Sequence, residues 1–245
     1  MAGFDRYNHV LRLFLEERRF WTIAEIAEAV DTSASNIYRT VRELVTAGYL
    51  ENAAESRYRL GPVFLEFDHR LRESDPLVRS GGIFLMTLVE QAGVPCCAVL
   101  ARLYGNGVMC VADARSTRFD AYTSYQRGKP MPLFRGATSK AILASLPVRK
   151  RSRLLQQLEE QGAAAASQEQ ELDNIRKARF VLTRGEVDDG LVGAAVPVEL
   201  KDLAMYASLS IIFKQTDETD AVLARLKALL NSHARLIESF LQETN

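Results

Sequence analysis

Tyr7, Val10, Leu11, Phe14 and Leu15 repeat at the three- and four-residue spacing of a helix running from about Phe4 to Glu17. A shorter stripe, Ile23, Ile26, Ala27 and Val30, begins just after Thr22, a favoured N-cap. Asp31-Thr32 interrupts it. A third helix then starts from Thr32 or Ser33 and buries Ile37, Val41, Leu44 and Val45 on one face. Gly48 stands where a left-handed residue would end that helix. Tyr49-Leu50 and Arg57 to Leu60 flank the polar turn Glu51 to Ser56, the pattern of a β-hairpin. Two short helices joined by a tight turn and followed by a hairpin predict a winged helix-turn-helix, with residues 1–61 as its domain.

Gly61-Pro62 opens a further helix with Phe64, Phe67 and Leu71 in register. On pattern this is either a cap on the preceding core or a linker, residues 62–76, whose apolar stripe meets another subunit. Ser74-Asp75-Pro76 reads as a cap with proline at the first helical position, ahead of a helix from Leu77 to Ala92 that packs Phe84, Leu85, Leu88 and Val89.

From Pro95 the period changes from helix to strand. Cys96–Tyr104 and Val108–Asp113 flank Gly105-Asn106-Gly107, a tight-hairpin signal, and Phe119–Tyr125 alternates like a third strand. Helices are expected near Thr138–Ala144, at Val148–Glu160, and from a Ser167/Gln170 capping box to Leu182, with Gln161 to Ala166 as a low-complexity connection. Leu191–Val198 and Ala204–Phe213 are the closing strands. A last helix carries Val222, Leu226, Leu229, Leu230, Leu236, Ile237 and Phe240. This order predicts an α+β domain over residues 77–245, built on an antiparallel sheet with helices on its faces.

The helix starting at Ser33 shows Ser35, Asn36, Arg39, Thr40 and Arg42 on its polar side. Asparagine and arginine can contact adenine and guanine edges bidentately, and serines suit phosphate or base contacts. Thr22, Thr32, Ser33, Ser35, Asn36, Arg39, Thr40, Arg42, Arg57 and Arg59 are therefore the candidate contacts to double-stranded DNA.

The stretch TIAEIAEAVDTSASNIYRTVRELVTAGYL (Thr22–Leu50), followed by YRLG at Tyr58–Gly61, resembles the N-terminal domain of IclR-type transcriptional regulators. GKPMPLFRGATSKAILASLP (Gly128–Pro147) and RGEVDDGLVGAAVPV (Arg184–Val198) resemble that family's effector-binding domain. The likeness is collinear from about residue 7 to about residue 240. It implies that the α+β domain is GAF-like, that the linker stripe pairs with another subunit, and that the chain is a regulator controlled by a small molecule.

Composition narrows this further. The 245 residues are 47% hydrophobic and 25% charged, ordinary values for a soluble protein long enough for two domains. Apolar runs such as Pro95 to Ala101 are too short to span a bilayer, and no signal peptide opens the chain. Cys96, Cys97 and Cys110 form no disulfide framework, so a cytoplasmic, non-membrane protein is expected. Net charge is zero, and Met1 to Arg72 holds ten arginines, no lysine and eleven acidic residues. Binding dominated by unspecific phosphate contact is thereby disfavoured. A module so sparing of charge needs a homo-oligomer, dimer or tetramer, to multiply two half-sites.

His9, His69 and His233 match no metal-ligand spacing with the cysteines, and the chain contains no nucleophile elbow, P-loop or dinucleotide fingerprint. No catalytic residue, metal or cofactor is expected, and Glu186, Asp188 and Asp189 read as a solvated loop. Gly128–Ala137 is different, because Met131, Leu133 and Phe134 place apolar bulk on a proline-stiffened loop beside Arg135 and Gly136, as small-molecule pockets require. Arg135 is either a clamp on a carboxylate or a surface or ion-paired arginine.

Carried over from the family by motif, effector contacts fall on Ala137 and Thr138, then Gly193, then Ser210. With Cys110, Met131, Phe134, Arg135 and Gly136 these complete the candidate effector site. The chain departs from its relatives in having Gly193 where a cysteine is common, Thr183 where an aspartate is common, and Ser210-Ile211-Ile212-Phe213 in the late strand. Fewer polar groups imply a larger, aromatic or aliphatic organic acid. Two rivals stand beside this expectation: a constitutive DNA-binding dimer without ligand, and a small-molecule enzyme with an accessory winged helix.

Overall fold

The computed structural model describes residues 3–15, 18–159, 165–200 and 205–243. The chain divides into two compact units, Met1–Ser74 and Asp75–Asn245.

The first unit runs α1 (Gly3–Leu13), β1 (Trp21–Thr22), α2 (Ile23–Ala29), α3 (Ala34–Thr46), β2 (Leu50–Ala53), β3 (Arg57–Leu60) and α4 (Val63–Ser74). Val10, Phe14, Trp21, Ile26, Ile37, Val41, Leu44 and Leu50 form its core, while Leu15, expected on that face, is exposed. Thr22 caps α2 in a reciprocal capping box: its hydroxyl accepts from the Glu25 amide, and its own amide donates to the Glu25 carboxylate at 2.8 Å. Ser33 caps α3. Gly48, at φ +76°, ends α3. The Tyr49 amide reaches back to the Leu44 carbonyl and the Gly48 amide to that of Val45, so two otherwise unpaired carbonyls are satisfied. β1, unforeseen at two residues, pairs antiparallel with β3 and completes a three-stranded sheet of order β1-β3-β2. None of the α4 side chains is fully buried. Phe64 and Phe67 lie against Tyr49, with ring centroids 5.7 and 6.4 Å away, while Leu65 and Leu71 face outward.

The second unit runs α5 (Pro76–Gln91), β4 (Cys96–Tyr104), β5 (Gly107–Arg115), β6 (Pro130–Pro132), α6 (Ala137–Ser145), α7 (Val148–Glu159), α8 (Ala165–Ala178), β7 (Val181–Arg184), β8 (Leu191–Leu200), β9 (Met205–Lys214) and α9 (Asp220–Glu243). Six strands in the order β6-β5-β4-β9-β8-β7 pair antiparallel throughout. Helices cover both faces, which explains the almost unbroken apolar run of β4. Cys96, Ala98 and Leu100 pack with α5 and α9, whereas Cys97, Val99 and Ala101 pack with α6, α7 and α8. α5 lies so close to β5 that a Cβ on Gly81 would come within 2.3 Å of the Ala112 Cβ.

Three expectations are corrected here. Phe119–Tyr125 is no strand: Phe119 and Tyr125 are buried, but the segment is irregular, and the sheet edge is taken instead by Pro130-Met131-Pro132. Proline is tolerated there because an edge strand can spare an N–H. The helix expected to reach Leu182 stops at Ala178. Arg179 turns the chain at φ +47°, and Val181–Arg184 form β7. Ser167 lies within α8 rather than ahead of it, and most of the Gln161 to Ala166 connection is outside the described residues.

Candidate DNA-reading helix and effector site

On α3, Ile37, Val41 and Leu44 face the core, so Ser35, Asn36, Arg39 and Arg42 are exposed together. Among the described residues neither the Arg39 nor the Arg42 guanidinium has an ion-pair partner, leaving both donors available. Tyr38, which patterning did not single out, is 55% exposed beside them. Thr40 must be removed from the reading face. It is fully buried, and its hydroxyl donates to the Asn36 carbonyl at 3.1 Å, because an i−4 carbonyl lies within reach of a helical threonine.

Thr22 and Ser33 spend their hydroxyls as helix caps, and Thr32 is half-buried between them. Glu25 accepts the Thr22 amide and then the Arg18 guanidinium, which together lower its pKa to about 2. In the hairpin Arg57 is paired with Glu55 at 2.7 Å and Arg59 with Glu51 at 2.6 Å. The wing therefore presents neutralised pairs, whereas Arg39 and Arg42 on α3 are uncommitted.

In the second unit Gly128–Ala137 and Arg184–Val198 come together at the head of α6. A cleft there is bounded by Tyr125, Ala137 and Thr138 on one side and by Thr183, Val187 and Gly193 on the other. Its volume is about 20 Å³, enough for a single water. The polar groups inside are matched to one another. Thr138 Oγ1 lies 2.8 Å from Ser210 Oγ, and Tyr125 Oη lies 3.0 Å from Ser139 Oγ. The Ala137 amide donates to Thr183 Oγ1 at 3.0 Å. Burial pushes the Tyr125 hydroxyl up, so it stays protonated. Gly193 is tightly placed, since an added Cβ would sit 3.3 Å from the Ala137 Cβ.

The acidic loop is not a solvated run. The Glu186 carboxylate accepts the Gly136 amide at 3.0 Å and Lys140 Nζ at 2.8 Å. Asp188 accepts both the amide and the hydroxyl of Ser124. Gly185 and Gly190 flank this loop at φ +62° and +72°.

Of the expected effector residues, Ala137, Thr138 and Gly193 line the cleft, Ser210 stands behind Thr138, and Gly136 joins through its amide. Cys110, Met131 and Phe134 do not line it: the first two are buried in the core on this face of the sheet, and Phe134 packs against that core. Arg135 is exposed and donates to the Glu186 carbonyl oxygen, 3.0 Å from Nε and 2.5 Å from Nη2. It fastens the loop instead of walling the pocket. Tyr125, Thr183, Glu186 and Val187 were missing from the expected site, and the Arg184–Val198 motif pointed at only two of them, Glu186 and Val187.

A larger cavity of about 540 Å³ opens at the other end of α6, among Pro147, Arg176, Pro197 and Tyr206. Leu200 and Met205 are also in its lining, and it contains none of the motif positions at the head of α6. Chemistry rather than volume therefore singles out the smaller cleft. Among the described residues no group of histidine, cysteine, aspartate and glutamate is placed to hold a metal, and no helix is long and apolar enough to cross a membrane.

Comparison with known proteins places this architecture. Residues 5–54 match the IclR helix-turn-helix domain, and residues 73–239 match the C-terminal domain of bacterial IclR transcriptional regulators. The HTH-type transcriptional regulator KdgR of Escherichia coli (strain K12) is 25% identical over 247 residues, spanning 96% of this chain and 93% of that protein. The crystal structure of an IclR transcriptional regulator from Alicyclobacillus acidocaldarius superposes with a TM-score of 0.83 at 19% identity, covering 98% of this chain and 99% of the other. An IclR homolog from Microbacterium hydrocarbonoxydans, crystallised in complex with 4-hydroxybenzoate, gives 0.79 at 19% identity over 98% and 99%. With both units matched in order along nearly the whole length, the chain belongs to the IclR family of transcriptional regulators, not to a family of enzymes.

Proposed function

We propose that this chain is a sequence-specific regulator whose operator binding is set by a small organic acid. Residues 1–61 read DNA, 62–76 link, and 77–245 sense the ligand, in the cytoplasm where the operator lies. The observation that carries the DNA-reading role is the exposed, unpaired face of α3 in a helix-turn-helix unit. Ser35, Asn36, Arg39 and Arg42 contact base edges and phosphates in the major groove, with Tyr38 at the margin. The outward apolar residues of α4, Leu65 and Leu71 above all, support pairing of two copies, as a dimer or within a tetramer. A two-fold pair of recognition helices calls for a palindromic operator. Footprinting tests this: protection of two inverted half-sites is the expected pattern, and protection of one asymmetric half-site by monomeric protein overturns it.

The ligand site is the cleft at the head of α6. Its support is the convergence there of two backbone amides, three hydroxyls and the motif positions Ala137, Thr138 and Gly193, together with 4-hydroxybenzoate in the Microbacterium hydrocarbonoxydans relative. Binding selects or stabilises an arrangement of the sensor that differs in operator affinity. A second reading, a ligand-free constitutive dimer, draws on the small volume of the cleft. Thermal unfolding with 4-hydroxybenzoate separates the two, because a ligand at one hundred times its Kd stabilises by about 2.7 kcal/mol. An unchanged midpoint favours the constitutive reading.

A further inference from the structure

We propose that the Glu186 carboxylate is a built-in competitor: it occupies the acid-group position at the head of α6 and must be displaced by the effector's own carboxylate. The inference rests on the reading of this cleft as the effector site. The Gly136 amide, at the N-cap of α6, already holds a carboxylate oxygen, that of Glu186, 3.0 Å away. The fold thus displays which chemical group this amide donates to, and supplies that group from its own loop.

Three further features suit Glu186 to leaving. Its side chain is one-third exposed, so a short swing returns it to water. Its cationic partner does not depend on it, because Lys140 Nζ is also 2.9 Å from Glu171 Oε1. The loop behind it is bounded by Gly185 and Gly190 in the left-handed region, where glycine moves at little steric cost. Two attachments hold the loop in place meanwhile: Arg135 on the Glu186 carbonyl and Ser124 on the Asp188 carboxylate.

Displacement is also a steric requirement. A cleft of about 20 Å³ admits no aromatic acid, since small-molecule sites run to several hundred Å³. Val187 fills the rest of the approach, lying within 2.6 Å of where a Cβ on Gly136 would be. A side-chain swing frees the amide from Glu186, and movement of the loop between Gly185 and Gly190 withdraws Val187 with it. An acid replaces the leaving carboxylate charge for charge at the amide. A neutral analogue offers no such exchange, so Glu186 makes the site selective for acids. The cost is apparent affinity, reduced by the fraction of molecules in which Glu186 is away.

Calorimetric titration of the full chain with 4-hydroxybenzoate, for wild type, Glu186→Ala, Glu186→Gln and Gly193→Val, tests this. Removing the competitor should tighten binding about tenfold in Glu186→Ala, with Glu186→Gln between it and wild type, and Gly193→Val should abolish binding by closing the cleft. In Glu186→Ala the Gly136 amide should also exchange with deuterium faster in the absence of ligand. Equal or weaker binding by Glu186→Ala, with loss in Gly193→Val, overturns the competitor and leaves the effector site standing. Undiminished binding by Gly193→Val moves the site elsewhere and overturns both, as does the absence of binding to wild type and Glu186→Ala alike.

Discussion

Asp188 grips Ser124 across 64 residues of chain: one carboxylate oxygen accepts the Ser124 amide at 2.9 Å and the other its hydroxyl at 2.6 Å. This two-point contact ties the loop after β7 to the irregular segment that leads into β6. Two loops with no ladder of their own thereby acquire a fixed separation above the cleft.

Replacing that grip should loosen the cover without dismantling the sheet. Hydrogen bonds to a charged acceptor contribute a net of about 1.5–3 kcal/mol, and solvent reaches the half-buried Asp188, so Asp188→Ala is expected to destabilise by about 1–2 kcal/mol. Hydrogen–deuterium exchange should quicken at Ser124 and across 185–190 while β4 and β9 stay protected. Equal exchange in variant and wild type would remove Asp188 from the cover.

On the DNA side the structure separates two kinds of arginine. Arg39→Ala should cost about 1–3 kcal/mol in operator binding and relax preference at one base pair of each half-site. Arg59→Ala should cost little, because Glu51 already neutralises Arg59. Glu51→Ala instead frees a cation on the wing, and the dependence of log affinity on log salt should steepen by about 0.9 for each new phosphate contact. Competition binding across single-base operator variants at two salt concentrations distinguishes these effects. A uniform loss over all operators in Arg39→Ala would make it a phosphate contact.

Glu25 makes α2 acid-sensitive. Its pKa is lowered from 4.5 to about 2, first by the Thr22 amide and then by Arg18. A group whose folded pKa lies below its unfolded value lends stability above the unfolded value and loses it as pH falls toward the folded one. The destabilisation caused by Glu25→Gln should therefore be full at pH 7 and shrink between pH 4.5 and pH 2, as followed by thermal unfolding of both proteins. A difference that stays constant over that window would show that the carboxylate charge contributes nothing to the cap.

The winged helix was readable because its signals are local. The Thr22 cap, the three- and four-residue stripes of α2 and α3, and Gly48 at its positive φ each depend on residues within one turn. Thr40 misled because it lies at the edge of the stripe, where helical phase alone does not decide between core and surface. In the second unit the long strands and α9 announced themselves by apolar pattern. β6 did not, since Pro130 and Pro132 read as loop until Gly107–Met109 are there to pair with. The cover of the cleft was hidden for the same reason. Arg135 and Glu186 are 51 residues apart, and nothing near either one specifies the other. The motifs marked the segments that meet, but not which side chains close the cleft and which fasten the loop.

The three cysteines should be inert in the native state. Cys96, Cys97 and Cys110 are fully buried, and burial drives the thiols of Cys96 and Cys97 up to about 12 and about 11, with that of Cys110 raised higher still. Only the thiolate is an effective nucleophile, and at neutral pH its fraction in such sites is negligible. Cys110, although on the sheet face that carries the cleft, does not line it, and its thiol donates to the Ala112 carbonyl 3.5 Å away. Iodoacetamide at pH 7.5 is therefore expected to leave the folded protein unmodified over hours and to label all three residues in denaturant, as read by intact mass. Rapid labelling of Cys97 or Cys110 in the folded protein would mean that the core between β4, β5 and α6 opens readily, and that the effector reaches deeper into the sheet than the cleft at Gly136 and Ala137.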